Sequence, residues 1–135
     1  RLKRVIEALK LGSKVSLIPS APNKDIDKYY KEADIFVSVN DYGGVSKVVI
    51  EAMASGLPVI VNRPRWEFSP ELLGDTDIIA DNSVDGFVKA LNRMIANPDL
   101  MAAVGNRNRE KALEIDGRIM EQKEMELYKG LLCKA

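Results

Sequence analysis

The 135-residue sequence contains no histidine and only one cysteine, Cys133. Without histidine the chain lacks the commonest general base and metal ligand, which excludes Ser-His and Cys-His mechanisms. A single cysteine forms no internal disulfide, so we expect a reducing, cytoplasmic compartment. No apolar run approaches the roughly 20 residues that a helix needs to span a bilayer.

The chain also lacks an excess of either charge, because 20 basic residues are balanced by 20 acidic ones. Zero net charge argues against nucleic acid as a partner, since binding to a phosphate backbone needs a basic surface. Hydrophobic residues make up 46% of the chain, which is an ordinary globular composition. At this length we expect a single domain.

The most informative stretch runs from Asp41 to Asn62 and reads DYGGVSKVVIEAMASGLPVIVN. It predicts a glycine loop, then an amphipathic helix that ends at Gly56, and then a β-branched strand. Glu51 lies on the flank of the apolar stripe, and Lys47 lies one turn before it on the same side. The apolar stripe of this helix consists of Val45, Val48, Val49, Ala52 and Met53.

A glycine loop followed by a helix start suits an anion such as a diphosphate, because the helix presents unpaired N–H groups and its positive dipole end. Gly43 and Gly44 let the backbone approach such a ligand. A carboxylate at Glu51 would then be in a position to read hydroxyl groups near the loop.

Strands and helices alternate through the first two thirds of the chain, which predicts an α/β fold with a Rossmann-like parallel sheet and flanking helices. The predicted strands cover 14–19 (KVSLIP), 34–39 (DIFVSV), 58–62 and 76–80. The predicted helices cover Leu2 to Leu9, Asn23 to Ala33, the amphipathic helix described above, a short helix from Ser69-Pro70, Val84 to Ile95, Asp99 to Ile115 and a last helix after Asp116-Gly117. The first helix is expected to stop at Gly12, and Asn23 is expected to cap the second. The buried face of the helix from Val84 is expected to be Val84, Phe87, Val88, Leu91 and Ile95, and Asn106 to Arg109 are expected to form a solvated face.

The run SKVVIEAMASGLPVI resembles the signature of the C-terminal, donor-binding domain of GT-B retaining glycosyltransferases, the "group 1" family. The similarity continues through SPELL, DIIAD and VDGFVKALNRMIANPD to the last helices. The resemblance implies transfer of a sugar from a nucleotide diphosphate donor to an acceptor, with retention and without a metal or other cofactor. It leaves open a peripheral membrane association of the full enzyme.

By the same resemblance, Glu51 accepts hydrogen bonds from the ribose hydroxyls of the donor. The loop and helix start, which comprise Gly43, Gly44, Val45, Ser46 and Lys47, lie against the diphosphate and the donor sugar. The family has an acid where this chain has Gly43, and the nearest acid is Asp41. Ile18 and Pro19 lie where the base rests against backbone. Arg63 and Arg65, which follow the next strand, are further candidates for the same cleft. Glu71 matches a glutamate that the family often places after a proline at the start of the short helix.

Two other functions fit parts of the sequence. Gly43 in place of the acid is also compatible with an inactive module that binds a nucleotide or a partner protein. A dehydrogenase fragment is disfavoured because no G-x-G-x-x-G follows a strand. Asp75-Thr76-Asp77 has the spacing of a metal-binding acid pair, but its place before a strand is typical of a turn.

The chain begins at Arg1 within a helical pattern, so we expect a fragment of a longer protein. The resemblance implies a preceding acceptor-binding domain and two strands before Arg1, which in the family's sheet order lie between KVSLIP and DIFVSV. We therefore expect these two strands either to pair directly or to leave an edge that another chain covers. We also expect no turnover from this chain alone.

Overall fold

The computed structural model describes residues 1–39, 46–63 and 79–132. These residues form six α-helices and three short strands. Their bounds are α1 Leu2–Ala8, α2 Ile26–Glu32, β1 Phe36–Ser38, α3 Lys47–Ala54, β2 Val59–Asn62, β3 Ile79–Ala80, α4 Val84–Ile95, α5 Pro98–Glu114 and α6 Gly117–Leu132. Predictions that fall on 40–45, 64–78 or 133–135 lie outside the described residues.

The three strands form one parallel sheet in the order β1-β2-β3. Phe36 pairs with Val59, and Val61 pairs with Ile79. All three strands therefore end at the same edge, which is where ligands bind in sheets of this kind. The parallel sheet and its flanking helices confirm the predicted α/β class. The β-branched composition of DIFVSV predicts a central strand, and this prediction is wrong, because the strand lies at an edge of the described sheet.

The predicted strand at 14–19 is wrong. These residues form a turn and then an irregular segment, and the side chain of Ile18 is 53% exposed. A strand needs a neighbour that supplies its hydrogen bonds, and the only partner that β1 has among the described strands is β2. Direct pairing of KVSLIP with DIFVSV is therefore wrong as well.

The ends of α1 and α3 use the same hydrogen-bond motif with different residues. At the end of α3 the Leu57 N–H donates to Ala52 O over 3.1 Å, and Gly56 takes a left-handed φ of 82°. This confirms the stop predicted at Gly56. At the end of α1 the left-handed residue is Lys10, with φ 55°, and not the predicted Gly12. The prediction that Gly12 ends α1 is therefore wrong, because a lysine can occupy the left-handed conformation at moderate cost.

The core lies between β2, α3 and α5. Its buried apolar residues are Tyr30, Val49, Ala52, Met53, Leu57, Val59, Ile60, Val61, Met94, Val104 and Ala112. Within the predicted stripe of α3, Val49, Ala52 and Met53 are buried, whereas Val48 is exposed. Val45 lies outside the described residues.

Two predictions at helix faces need correction. On α4 the predicted core residues Val84, Val88 and Ile95 are exposed. The predicted Phe87 and Leu91 do face the core, together with Ala90 and Met94, at i, i+3, i+4 and i+7. At the start of α2, a 3₁₀ turn at Asn23–Asp25 precedes the helix, so that Asp25 rather than Asn23 is the N-cap residue.

The predicted solvated face at Asn106 to Arg109 is wrong at Asn108. This side chain is fully buried, and its Nδ2 donates to Leu57 O over 2.9 Å. Gly105 is buried as well, and a Cβ there would overlap the carbonyl oxygen of Gly56. Close approach of α5 to the end of α3 therefore depends on a glycine and an amide in one turn of α5.

The last helix, α6, carries mostly exposed side chains, including Met125 and Leu131. It begins at the predicted break, where Asp116 Oδ1 accepts hydrogen bonds from the N–H and Nε of Arg118. Among the described helices, none is long and apolar enough to cross a membrane.

We predict that Asn108→Ala lowers the free energy of unfolding by about 1–3 kcal/mol, because the buried carbonyl of Leu57 loses its hydrogen-bond donor. Asn106→Ala, on the exposed side of the same turn, is the matched control and should change it by less than about 0.5 kcal/mol. Urea unfolding followed by circular dichroism measures both. Equal effects of the two substitutions would show that the bond between α5 and Leu57 contributes nothing.

Candidate functional site

The candidate site is built around Glu51, in the second turn of α3. The outward direction of its side chain follows from the helix period, because Val49, Ala52 and Met53 face the core. The side chain of Glu51 is 35% exposed, so its carboxylate lies at the surface without being fully solvated. α3 thus presents a carboxylate at a fixed height beside the sheet.

One carboxylate oxygen of Glu51 is held by a buried tyrosine. Tyr30 Oη donates to Glu51 Oε2 over 3.1 Å, and the two residues are 21 positions apart in sequence. Only 8% of Tyr30 is exposed. Its ring meets that of Phe36 edge to face, with the centroids 5.9 Å apart. The core therefore fixes the ring, and the ring places its hydroxyl on the carboxylate.

The other carboxylate oxygen faces a lysine. Lys47 Nζ lies 3.7 Å from Glu51 Oε1, so the two side chains lie on the same side of α3, as predicted. The lysine side chain is 83% exposed, so this ion pair contributes little to stability and is easily exchanged for another partner. Oε1 is therefore the more available of the two oxygens.

The start of α3 combines a serine with the first helical amides. Ser46 occupies the predicted N-cap position, but its side chain makes no capping hydrogen bond. Its Oγ is buried and has no hydrogen-bond partner among the residues that the structure describes. The first amides of a helix also have no intrahelical acceptor. The start of α3 therefore brings together a hydroxyl and backbone N–H groups that the helix itself does not use for hydrogen bonds.

The structure places the predicted site residues in different ways. It brings Lys47 and Glu51 together and places Ser46 at the start of the same helix. Ile18 and Pro19 lie in the exposed segment before α2. Arg63 is exposed at the end of β2, and its carbonyl accepts from Asn82 Nδ2 over 2.7 Å. The predicted site residues outside the described ranges are Asp41, Gly43, Gly44, Val45, Arg65 and Glu71, and Asp75 to Asp77 lie there as well.

The helical pattern of α2 predicts that Tyr30 is buried, but sequence reasoning missed its role in the site. A signal was available, because a buried tyrosine usually finds a hydrogen-bond partner for its hydroxyl. The period of α2 shows that this ring is buried but not which element meets its hydroxyl. The partner depends on how α2 packs against α3.

A groove at the carboxyl ends of the strands was also missed. It has a volume of about 470 Å³ and is mainly apolar. Its described lining consists of Val39, Asn62, Asn82, Ser83, Val84, Phe87, Val88 and Leu91. The exposed apolar residues at the start of α4 thus line a concave surface. Among the residues that the structure describes, no group of three or more acidic or cysteine side chains is placed to hold a metal ion.

Burial raises the pKa of the Tyr30 hydroxyl above its ordinary value, and the hydrogen bond to Glu51 and the charge of that carboxylate raise it further. The folded protein therefore holds this proton more tightly than the unfolded chain does. The resulting stabilisation is fully present below about pH 10, the ordinary tyrosine pKa, and is lost as the pH rises through the folded pKa.

We predict that the free energy of unfolding falls more steeply above pH 10 in the wild type than in Tyr30→Phe, which has no such proton. Urea unfolding at intervals between pH 8 and pH 11.5 measures the two slopes. Tyr128→Phe, which removes an exposed phenol on α6, serves as the control and should retain the steeper fall. Parallel curves for the wild type and Tyr30→Phe would contradict this assignment.

Comparisons with known proteins agree over most of the chain. The family model described as "Glycosyl transferases group 1" matches residues 1–111. An uncharacterized glycosyltransferase from Haemophilus influenzae is 30% identical over 133 residues, which is 97% of this chain and 36% of that protein. A GDP-mannose-dependent alpha-(1-6)-phosphatidylinositol monomannoside mannosyltransferase from Mycolicibacterium smegmatis is 27% identical over 121 residues, which is 84% of this chain and 32% of that protein.

Among solved structures, a sucrose-phosphate synthase from Thermosynechococcus elongatus superimposes with a TM-score of 0.82 at 22% identity. The match covers 100% of this chain and 34% of that one. At this identity the likeness shows the fold alone, and it confirms the predicted Rossmann-like α/β class. The chain spans about a third of the length of the curated relatives described above.

Proposed function

The chain belongs to the group 1 glycosyltransferase family, and from this premise we propose that it forms the donor-binding domain of a GT-B enzyme. The enzyme would transfer a sugar from a nucleotide diphosphate to an acceptor with retention of configuration. The present chain would bind the donor without turning it over. The observation that carries the proposal is the half-exposed carboxylate of Glu51, supported from within the core.

The carboxylate of Glu51 suits the ribose of the donor. A carboxylate accepts hydrogen bonds through two oxygens, and a ribose presents two neighbouring hydroxyl donors. Oε2 is already held by Tyr30, while Oε1 faces the exposed ammonium of Lys47. Ribose hydroxyls can displace that weak ion pair, because bonds to a charged acceptor are stronger than an exposed salt bridge.

The start of α3 suits the diphosphate. The positive end of the helix dipole, the first amides and the unpartnered Oγ of Ser46 all favour an anion. Displacement of Lys47 from Glu51 would free its ammonium for a phosphate oxygen. By the family resemblance we assign contacts with the diphosphate and the sugar to Gly43, Gly44 and Val45 as well.

The proposed catalysis is electrostatic. The bond between the sugar carbon and the diphosphate breaks, and the diphosphate keeps the electron pair. The acceptor hydroxyl forms the new bond to the same carbon, and its proton passes to the departing diphosphate. The start of α3 and Lys47 would stabilise the charge that develops on the leaving diphosphate, while Glu51 fixes the nucleoside so that the reacting carbon stays in place. We assign no general base.

The relatives indicate which donors to test first. One of them is GDP-mannose-dependent by name, so GDP and GDP-mannose head the panel, followed by UDP and ADP with their sugars. The groove at the strand ends does not enter this assignment.

A second candidate is a module of the same fold that binds a nucleotide or a partner protein without chemistry. The observation that favours it is Gly43, which stands where the family has an acid. The two candidates differ in their response to the sugar. A donor site should bind the nucleotide sugar with a contribution from the sugar, whereas a partner-binding module should ignore both ligands.

We predict that Glu51→Ala weakens GDP or GDP-mannose binding about 10- to 100-fold. Hydrogen bonds to a charged acceptor contribute about 1.5–3 kcal/mol, and about 1.4 kcal/mol corresponds to a factor of ten. Isothermal titration calorimetry on the wild type and the variant gives the dissociation constants. The UDP and ADP pairs are titrated in the same way.

Glu114→Ala is the matched control, because it removes an exposed glutamate from another helix. It should bind every ligand as the wild type does. Equal affinity of Glu51→Ala and the wild type for the ligand that binds best would contradict the ribose assignment. No binding of any nucleotide by the wild type would contradict the donor-binding function itself.

A further inference from the structure

We propose that Tyr30 is a positioning residue for donor recognition, which holds Glu51 in the orientation that accepts the ribose hydroxyls. The inference rests on the proposed function and deepens it, because it assigns the ribose specificity of the site to a pair of residues on two helices. Tyr30 itself would touch no part of the donor.

The first step concerns the single proton of the Tyr30 hydroxyl. Two acceptors lie within reach, namely Glu51 Oε2 at 3.1 Å and the carbonyl oxygen of Val48 at 3.4 Å. The carboxylate is nearer and charged, and a bond to a charged acceptor is roughly twice as strong as a neutral one. The proton therefore lies mainly toward Glu51.

The second step concerns the rigidity of the hydrogen-bond donor, the Tyr30 hydroxyl. Tyr30 is buried in the core cluster, and Ile26, Ala33 and Phe36 pack against the same cluster. A packed aromatic ring has few orientations available, so its hydroxyl occupies a fixed point. Glu51, by contrast, has three rotatable side-chain bonds and is partly exposed. The hydrogen bond from this fixed hydroxyl therefore restricts the flexible side chain of Glu51 to fewer orientations.

The third step concerns Lys47, another group that contacts the Glu51 carboxylate. Lys47 lies 3.7 Å from Glu51 Oε1 and is almost wholly exposed. Without the bond to Tyr30, this exposed ammonium would be the one group among the described residues that orients the carboxylate, and several rotamers would be populated. With the bond, Oε2 is fixed and the lone pairs of Oε1 point to one side. A pair of neighbouring hydroxyls then meets a preorganised acceptor, and less ordering is needed on binding.

A merely structural role for Tyr30 predicts something different. If the hydroxyl served only to satisfy a buried polar group, its loss would disturb the fold around α3 and weaken every nucleotide equally. A positioning role affects only ligands that carry ribose hydroxyls. Comparing GDP with 2′,3′-dideoxy-GDP, which has the same base and diphosphate but lacks both hydroxyls, separates the two roles.

The experiment measures dissociation constants of the full chain for both ligands by isothermal titration calorimetry, in a double-mutant cycle of Tyr30→Phe and Glu51→Ala. If UDP or ADP binds better than GDP, that nucleotide and its dideoxy analogue are used. We expect Tyr30→Phe to weaken GDP binding about three- to tenfold, the range for loss of one hydrogen bond, and to leave the dideoxy ligand unchanged. In the Glu51→Ala background, Tyr30→Phe should have no further effect on GDP.

Tyr29→Phe is the matched control, because it removes a phenol from the neighbouring position of the same helix and should bind both ligands as the wild type does. Unchanged binding of the dideoxy ligand by Tyr30→Phe also shows that the variant is folded. Equal losses for both ligands, an unchanged affinity for GDP, or additive effects of the two substitutions would each overturn the positioning role while leaving the proposed function in place. If Glu51→Ala alone leaves GDP binding unchanged, the ribose assignment fails, and this inference fails with it.

Discussion

The hydrogen bond from Tyr30 to Glu51 is the contact on which this account of the site depends. It joins α2 to α3, and it is the point at which the buried core reaches a charged group at the surface. The bond exists because α2 packs the Tyr30 ring against Phe36, and because α3 buries Val49, Ala52 and Met53 on its opposite face. The chemistry of Glu51 therefore depends on packing that is formed elsewhere in the domain.

Sequence reasoning succeeded where a pattern is local. The buried strand β2, the stop of α3 at Gly56 and the break before α6 each follow from a few adjacent residues. It failed where a distant neighbour decides the outcome. KVSLIP has the composition of a strand but no adjacent strand in the described sheet. Asn108 sits in a polar run, yet it is buried because a carbonyl at the end of α3 needs a donor.

The candidate site likewise combines features that follow from local sequence with features that depend on distant neighbours. The helix period and the family resemblance were enough to select Glu51 and to place Lys47 beside it, and the structure confirms that the two lie on the same side of α3. The hydroxyl partner of Tyr30 could not be derived, because it lies 21 residues away and depends on the packing of two helices. The apolar groove beyond the strand ends was missed for a related reason, since the exposed Val84 and Val88 appeared to belong to a buried helix face.

The most direct measurement is a crystal structure of the chain with the nucleoside diphosphate that it binds. The account predicts that the 2′ and 3′ oxygens of the ribose lie within about 2.5–3.0 Å of the Glu51 carboxylate, that Tyr30 Oη stays on Oε2, and that the diphosphate lies at the start of α3. A ribose bound away from Glu51, or a carboxylate that still pairs only with Tyr30 and Lys47 while the nucleotide occupies another surface, would contradict it.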